Sequence, residues 1–204
     1  MTRRIAQLLV GLFLYGFSIA LMVRGAIGVA PWDVLTLGIQ NQTGWEFGII
    51  TNLIGLVVLL FWIPIKQKPG IGTILNVLLV GPSAQVGLWL LPEPGDDLLV
   101  RILLFAGGLA LLSIATGLYI GARFGPGPRD GLMTGIHART GWKIWIVRTA
   151  IEVIVLTIGW LLGGNVGLGT LAFALLIGPM VHRTIPFFMV PAAITPQPAE
   201  EVTS

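Results

Sequence analysis

The sequence predicts an all-α membrane protein: six transmembrane helices in two inverted three-helix repeats, each with a short re-entrant or interfacial helix after its first span. Three observations predict it. Of the 204 residues, 55% are hydrophobic and 10% charged, more apolar side chain than a soluble core of this length encloses. Six stretches are apolar over the ~20 residues needed to cross ~30 Å of hydrocarbon. The chain also repeats itself at an interval of 97 residues, with three spans in each copy.

The first repeat, residues 1–91, holds spans 5–23, 46–65 and 71–91 and a short helix at 31–44. An acidic external linker, 92–97, leads to the second repeat, 98–190, with spans 98–120, 144–162 and 168–189 and a short helix at 128–141. The tail 191–204, with prolines and glutamates, reads as disordered and cytoplasmic. The opening Thr2-Arg3-Arg4 and apolar run to Val23 are a retained span and not a secretory leader, because the run is too long and lacks a small-x-small cleavage site. All seven tryptophans fall near proposed span ends, where an amphipathic ring prefers the headgroup level.

Lys and Arg set the orientation. With the amino terminus inside, ten of them (Arg3, Arg4, Lys66, Lys68, Arg123, Arg129, Arg139, Lys143, Arg148 and Arg183) fall on or toward the cytoplasmic side, leaving Arg24 and Arg101 outside. The expected location is a bacterial inner membrane, with both termini cytoplasmic. Counting the short segments as spans would even the charges to seven and five.

From Gly11 to Pro82 against Gly108 to Pro179, 24 of 72 positions are identical without a gap. Gly28, Pro31, Asp33, Gly38, Thr43, Gly44 and Trp45 pair with Gly125, Pro128, Asp130, Gly135, Thr140, Gly141 and Trp142. Gly70, Gly72 and Thr73 pair with Gly167, Gly169 and Thr170, and Gly81-Pro82 with Gly178-Pro179. An odd number of spans per copy makes the second copy enter from the opposite side, so the repeat is inverted.

Each short segment begins with proline and then aspartate, residues that suit a helix start: proline has no amide to lose there, and aspartate accepts orphan N–H bonds. One reading is a capped helix lying flat on the membrane. The other is a half-helix dipping in from each face, as inverted repeats place broken helices around a midplane site. Asp33 and Asp130 would then bring two carboxylates toward one cavity and suit a cation or proton, while Arg24, Arg123 and Arg129 leave the sign of the ligand open.

Within the spans, Arg148 and Glu152 stand four apart on one helix face and can pair, either to fix packing or to line a pathway. Their counterparts are Thr51 and Gly55, so that role belongs to one half. Asn52 and Asn76 are candidates for hydrogen bonds between helices and, with the residues above, for the pathway. The Gly81-Pro82 and Gly178-Pro179 pairs suit kinks that could act as hinges.

Several classes drop out. There is no cysteine, and His137 and His182 stand 45 residues apart, so no metal-ligand spacing emerges and no cofactor is expected. The net charge of +3 is spread singly between apolar runs, which argues against nucleic acid. No nucleophile and base share a recognisable motif, so an enzyme is not expected.

At Gly28-x-x-Pro31-Trp32-Asp33 and Gly125-Pro-Gly-Pro-Arg-Asp-Gly-Leu-Met-x-Gly135 the chain resembles the YczE/YitT-type family of small bacterial membrane proteins. The likeness extends through Val147-Arg148, Glu152, Leu162-Gly163-Gly164, Gly167-x-Gly169-Thr170 and Gly178-Pro179, and so covers about residues 5–190. It implies a polytopic membrane protein with a transport or regulatory role, and carries over no substrate and no site residue. The functional expectation is a small secondary transporter or permease with its pathway between the halves. The alternatives are a channel for a small solute or ion, and a non-transporting accessory or regulatory protein. The expected partners are the lipid bilayer and a small-molecule or ion substrate, with a homodimer left open.

Overall fold

Pro31 and Pro128 each open a helix at the first position, and each of these helices closes on a glycine in the left-handed region: Gly44 at φ 71° and Gly141 at φ 70°. The amides of these glycines return to the carbonyls of Gln40 and His137. The computed structural model, which describes residues 1–191, contains eight helices: α1 (Thr2–Gly25), α2 (Pro31–Thr43), α3 (Phe47–Leu60), α4 (Ile71–Leu90), α5 (Leu98–Gly121), α6 (Pro128–Thr140), α7 (Ile144–Leu161) and α8 (Leu168–Phe188). No strand occurs among the described residues. The tail expected to be disordered lies, from residue 192 on, outside them.

Five helices, α1, α4, α5, α7 and α8, are long and apolar enough to cross a membrane, and α2 with α3, bent at 119°, supplies up to one more. A belt of exposed Leu, Ile, Val and Phe covers the outside, as lipid demands. The second expected span, 46–65, is corrected: its helix ends at Leu60, after 14 residues, and turns carry the chain through Lys66. Pro64 cannot donate to a helical ladder, and Trp62 is drawn inward by its Nε1 bond to the Pro128 carbonyl, 3.0 Å away. The placement of every tryptophan at an interface is corrected too. Trp45, Trp89, Trp142, Trp145 and Trp160 are exposed, but Trp32 and Trp62 are buried between helices.

The backbone repeats with the sequence. Each left-handed residue of the first half has a left-handed counterpart 97 positions on: Ala26 and Arg123 (φ 53° and 57°), Gly28 and Gly125 (113° and 117°), and Lys66 and Gly163 (53° and 89°).

Helices α1 and α5, which are counterparts, pack along each other at the centre and run antiparallel. Gly11 lies against Ala115–Tyr119, and Gly25 against Arg101 and Phe105, so close that a Cβ would come within 2.8 and 2.9 Å of the facing backbone. Arg4, at the start of α1, donates to the carbonyls of Ala122 and Arg123 at the end of α5, where the helix dipole favours a cation. Helix α4 lies on α1 and α8 on α5, whereas α2 crosses to α7, and α6 is shared between α3 and α7.

The Gly-x-Gly-Thr starts of α4 and α8 hold this exchange in place. The Gly72 amide donates to Phe124 O at 2.9 Å, and the Thr73 hydroxyl to Pro126 O at 2.7 Å. Reciprocally, the Gly169 amide donates to Ile27 O at 2.8 Å, and Gly28 lies against Gly167 and Thr170. Each half thus grips the extended segment that leads into the other half's short helix.

Candidate functional site

The amino ends of α2 and α6 meet at the middle of the molecule. Position 32 of the first repeat corresponds to position 129 of the second, and the two side chains face each other, with the Arg129 guanidinium carbon 4.9 Å from the centre of the Trp32 ring. Beside them stand Asp33 and Asp130, also counterparts. Tyr15 of α1 and Tyr119 of α5 close the floor edge to face, with ring centres 5.9 Å apart.

The two aspartates do not serve as helix caps, which corrects the sequence reading. Neither α2 nor α6 has a side-chain bond at its amino cap, because both carboxylates sit in the third helical position and turn away from the cap into the cavity. Asp130 Oδ2 instead accepts the Tyr119 hydroxyl at 2.9 Å, and that hydroxyl accepts the Gly127 amide at 3.2 Å. Asp33 is 2% exposed, and its Oδ1 has no hydrogen-bond partner. A buried carboxylate oxygen without a donor is costly, so its retention calls for a partner such as a water, an ion or a ligand.

Arg148 and Glu152 do pair, at 3.0 Å, one turn apart on α7. They are not enclosed by packed helices: their side chains are 50% and 26% exposed and line the same cavity as Asp33, Arg129 and Asp130. Asn76 lies on the opposite wall, beside Tyr119 and Asp130. The expected interhelical hydrogen bond of Asn52 is corrected. Its Oδ1 is buried without a partner, because α3 and α4 approach so closely that the amide is pressed against Gly81.

The central space has unequal arms. On the side of α3 and α4 it is about 60 Å³, lined by Thr51, Gly55, Asn76 and Val80. On the counterpart side it opens into a crevice of about 330 Å³ between α5, α7 and α8, lined by Thr116, Arg148, Phe173, Ile177, Gly178 and His182. A smaller cavity, about 80 Å³, joins the crevice residues Tyr15, Asp130 and Arg148 to Asp33. The paired glycines of the expected hinges thus differ: Gly81 is packed against the Gly48 carbonyl of α3, while Gly178 has nothing within 4 Å of where a Cβ would be.

The sequence brought Asp33, Asp130, Arg129, Arg148, Glu152 and Asn76 to this site but missed Tyr15, Tyr119 and Trp32. Tyr15 and Tyr119 are the chain's two tyrosines, each in an otherwise apolar span, and that rarity was the available signal.

Among known proteins, a family of unknown function (DUF6198) matches residues 2–186. The chain is 38% identical to an uncharacterized protein of Haemophilus influenzae over 88% of its length and 82% of the relative's. It is 32% identical to the uncharacterized membrane protein YczE of Bacillus subtilis over 86% and 82% of the two chains. Against an uncharacterized protein of the same bacterium, YyaS, identity is 25% over 87% and 90%. No solved structure matches. Matched along nearly its whole length, and with YczE among its relatives, the chain belongs to the YczE-type membrane protein family, DUF6198.

Proposed function

We propose that the chain is a small secondary transporter, a permease, whose pathway runs between two halves inserted in a bacterial inner membrane in opposite directions, both termini in the cytoplasm. The observation that carries this reading is the pair of unequal arms around one charged centre. A cavity reached from one side and sealed by the counterpart seam on the other is what a carrier shows in one of its two access states. The antiparallel course of α1 and α5 supports the inverted arrangement, as does the burial of Pro31–Val34 in α2 and of Pro128 and Gly131–Met133 in α6 while the carboxy ends of both helices stay exposed. On this reading the short helices are re-entrant. They approach the midplane through the extended segments 26–30 and 123–127 and leave as helix.

A channel would need both arms open at once, and the α3–α4 seam is packed. Charged groups around an internal cavity favour the handling of a solute over an accessory role. The partners proposed are therefore lipid and a small solute, with no chemistry performed on it.

Reconstitution into liposomes tests this. Counterflow of a small organic ion, at carrier rates and lost when Asp33→Asn and Asp130→Asn are combined, is the expected result. No solute movement, or movement indifferent to that double variant, overturns the assignment. Flux far above carrier turnover gives the function to a channel.

A further inference from the structure

The central cavity is lined by three carboxylates, Asp33, Asp130 and Glu152, and two guanidiniums, Arg129 and Arg148, which leaves one negative charge in excess. Three of the five are engaged within their own half: Arg148 with Glu152, and Asp130 with Tyr119. Arg129 is spread over the Trp32 ring and, among the described residues, makes no salt bridge within 4.0 Å. Among the described residues two buried atoms of this lining lack a partner, Trp32 Nε1 and Asp33 Oδ1, and the one that carries charge is Asp33 Oδ1.

We propose that this cavity binds one organic ammonium group at Asp33, with the body of the ligand lying in the crevice between α5, α7 and α8. The inference rests on the carrier reading for the ligand's passage, though not for its binding. An alkali cation fits poorly, because it needs several oxygens at once and the walls here are mostly rings and aliphatic chains: Tyr15, Ile19, Trp32, Leu112, Met133 and Phe173. Among the described residues, no group of three His, Cys, Asp or Glu could hold a metal. An ammonium group matches what is present. It donates to a carboxylate, tolerates aromatic faces, and can carry an apolar tail. The space widens away from Asp33, from about 80 Å³ there to about 330 Å³ in the crevice, where Leu112, Phe173 and Ile177 offer apolar surface beside Thr116, Arg148 and His182. Anions meet the wrong net sign, and a zwitterion has to draw Arg129 off the Trp32 ring or Arg148 from Glu152 to seat its carboxylate.

The test uses the purified full chain in detergent, with 2-phenylethylammonium as the probe. Neutral 2-phenylethanol, zwitterionic phenylalanine and sodium at equal ionic strength are the comparisons. Modification of Asp33 by a membrane-soluble carbodiimide is followed by peptide mass spectrometry, with the N-acylurea and the amide formed by attack of the amine on the activated carboxyl counted together as modified. The amine, at about ten times its dissociation constant, is expected to slow modification about tenfold, and the comparisons less than about twofold. It also raises the unfolding midpoint of the native chain and of Asp33→Glu, but not of Asp33→Asn. Protection by 2-phenylethanol or phenylalanine equal to that of the amine, or no protection by the amine, overturns the proposal. Because the protection is read on the unmutated chain, poor folding of Asp33→Asn leaves it decisive. Protection without counterflow removes the carrier reading and leaves the site. Counterflow of another solute without protection removes the site and leaves the carrier.

Discussion

The seam between α3 and α4 and its counterpart between α7 and α8 are built from the same repeat and packed in opposite ways. In the first, Gly48 lies against the Gly81 carbonyl, where a Cβ would come within 2.6 Å, and its amide donates to Gln85 Oε1 at 3.0 Å. In the second, the position of Gly48 is Trp145, 62% exposed, and the position of Gln85 is His182, on the wall of the crevice. The reverse exchange occurs 14 residues further along. Trp62 of the first half stands between α3 and α6, whereas its counterpart Gly159 lets α7 close on the backbone of Val34 and Leu35 in α2. Two glycine–tryptophan exchanges thus give α3 to its own half and α7 to the other. A repeat that keeps its backbone dihedrals has acquired one closed seam and one open one by changing a few volumes at the contacts.

Substitutions at those contacts break or sharpen the comparison. The largest expected effect is from Trp62→Ala, which empties a site only 2% exposed and removes the bond to Pro128. A loss of about 3–5 kcal/mol in unfolding free energy is expected, read as a lower thermal midpoint in detergent. Next is Gly48→Trp, which writes the second half's residue into the first. Overpacking against Gly81 and Gln85 should cost about 1–3 kcal/mol and make a cysteine at the buried position of Val80 reactive to a thiol reagent. Gln85→Ala leaves the Gly48 amide without its acceptor and should cost about 1 kcal/mol by the same unfolding assay. The smallest change in stability, near zero, is expected from Trp145→Gly, whose side chain is mostly exposed. Its effect is on access: Val181→Cys in the crevice should react more slowly with maleimide, because α7 can then approach α8. Unchanged labelling would mean that the exchange does not govern the seam. The native chain has no cysteine, so each added thiol reports alone.

The features legible in the sequence were those fixed locally. Proline at the first helical position and glycine just past the last placed α2 and α6 to within one residue, because each residue sets its own dihedral whatever surrounds it. The charged centre was legible for a related reason: Asp33, Asp130, Arg148 and Glu152 stand out against apolar spans. What depended on contact between the halves was hidden. Asp33 and Asp130 read both as helix-start residues and as carboxylates directed to a cavity, and only the meeting of the two halves decides between these. Trp32 and Trp62 read as interfacial because tryptophan at a span end suits both lipid headgroups and a core, and only Arg129 and Pro128 decide between them. The Gly-x-Gly-Thr starts of α4 and α8 were visible as a repeated motif. Their purpose, gripping the opposite half, appears only once residues 124–126 and 27–28 are brought beside them.

The account turns on the halves entering the membrane from opposite sides, and site-directed thiol labelling tests this most directly. Lys66→Cys and Asn165→Cys occupy the turns after α3 and α7. With an impermeant maleimide on intact and inverted vesicles, the first is predicted to react only from the cytoplasmic side and the second only from the outside. If both thiols react from the same side, the halves are parallel and the shared cavity between them is contradicted.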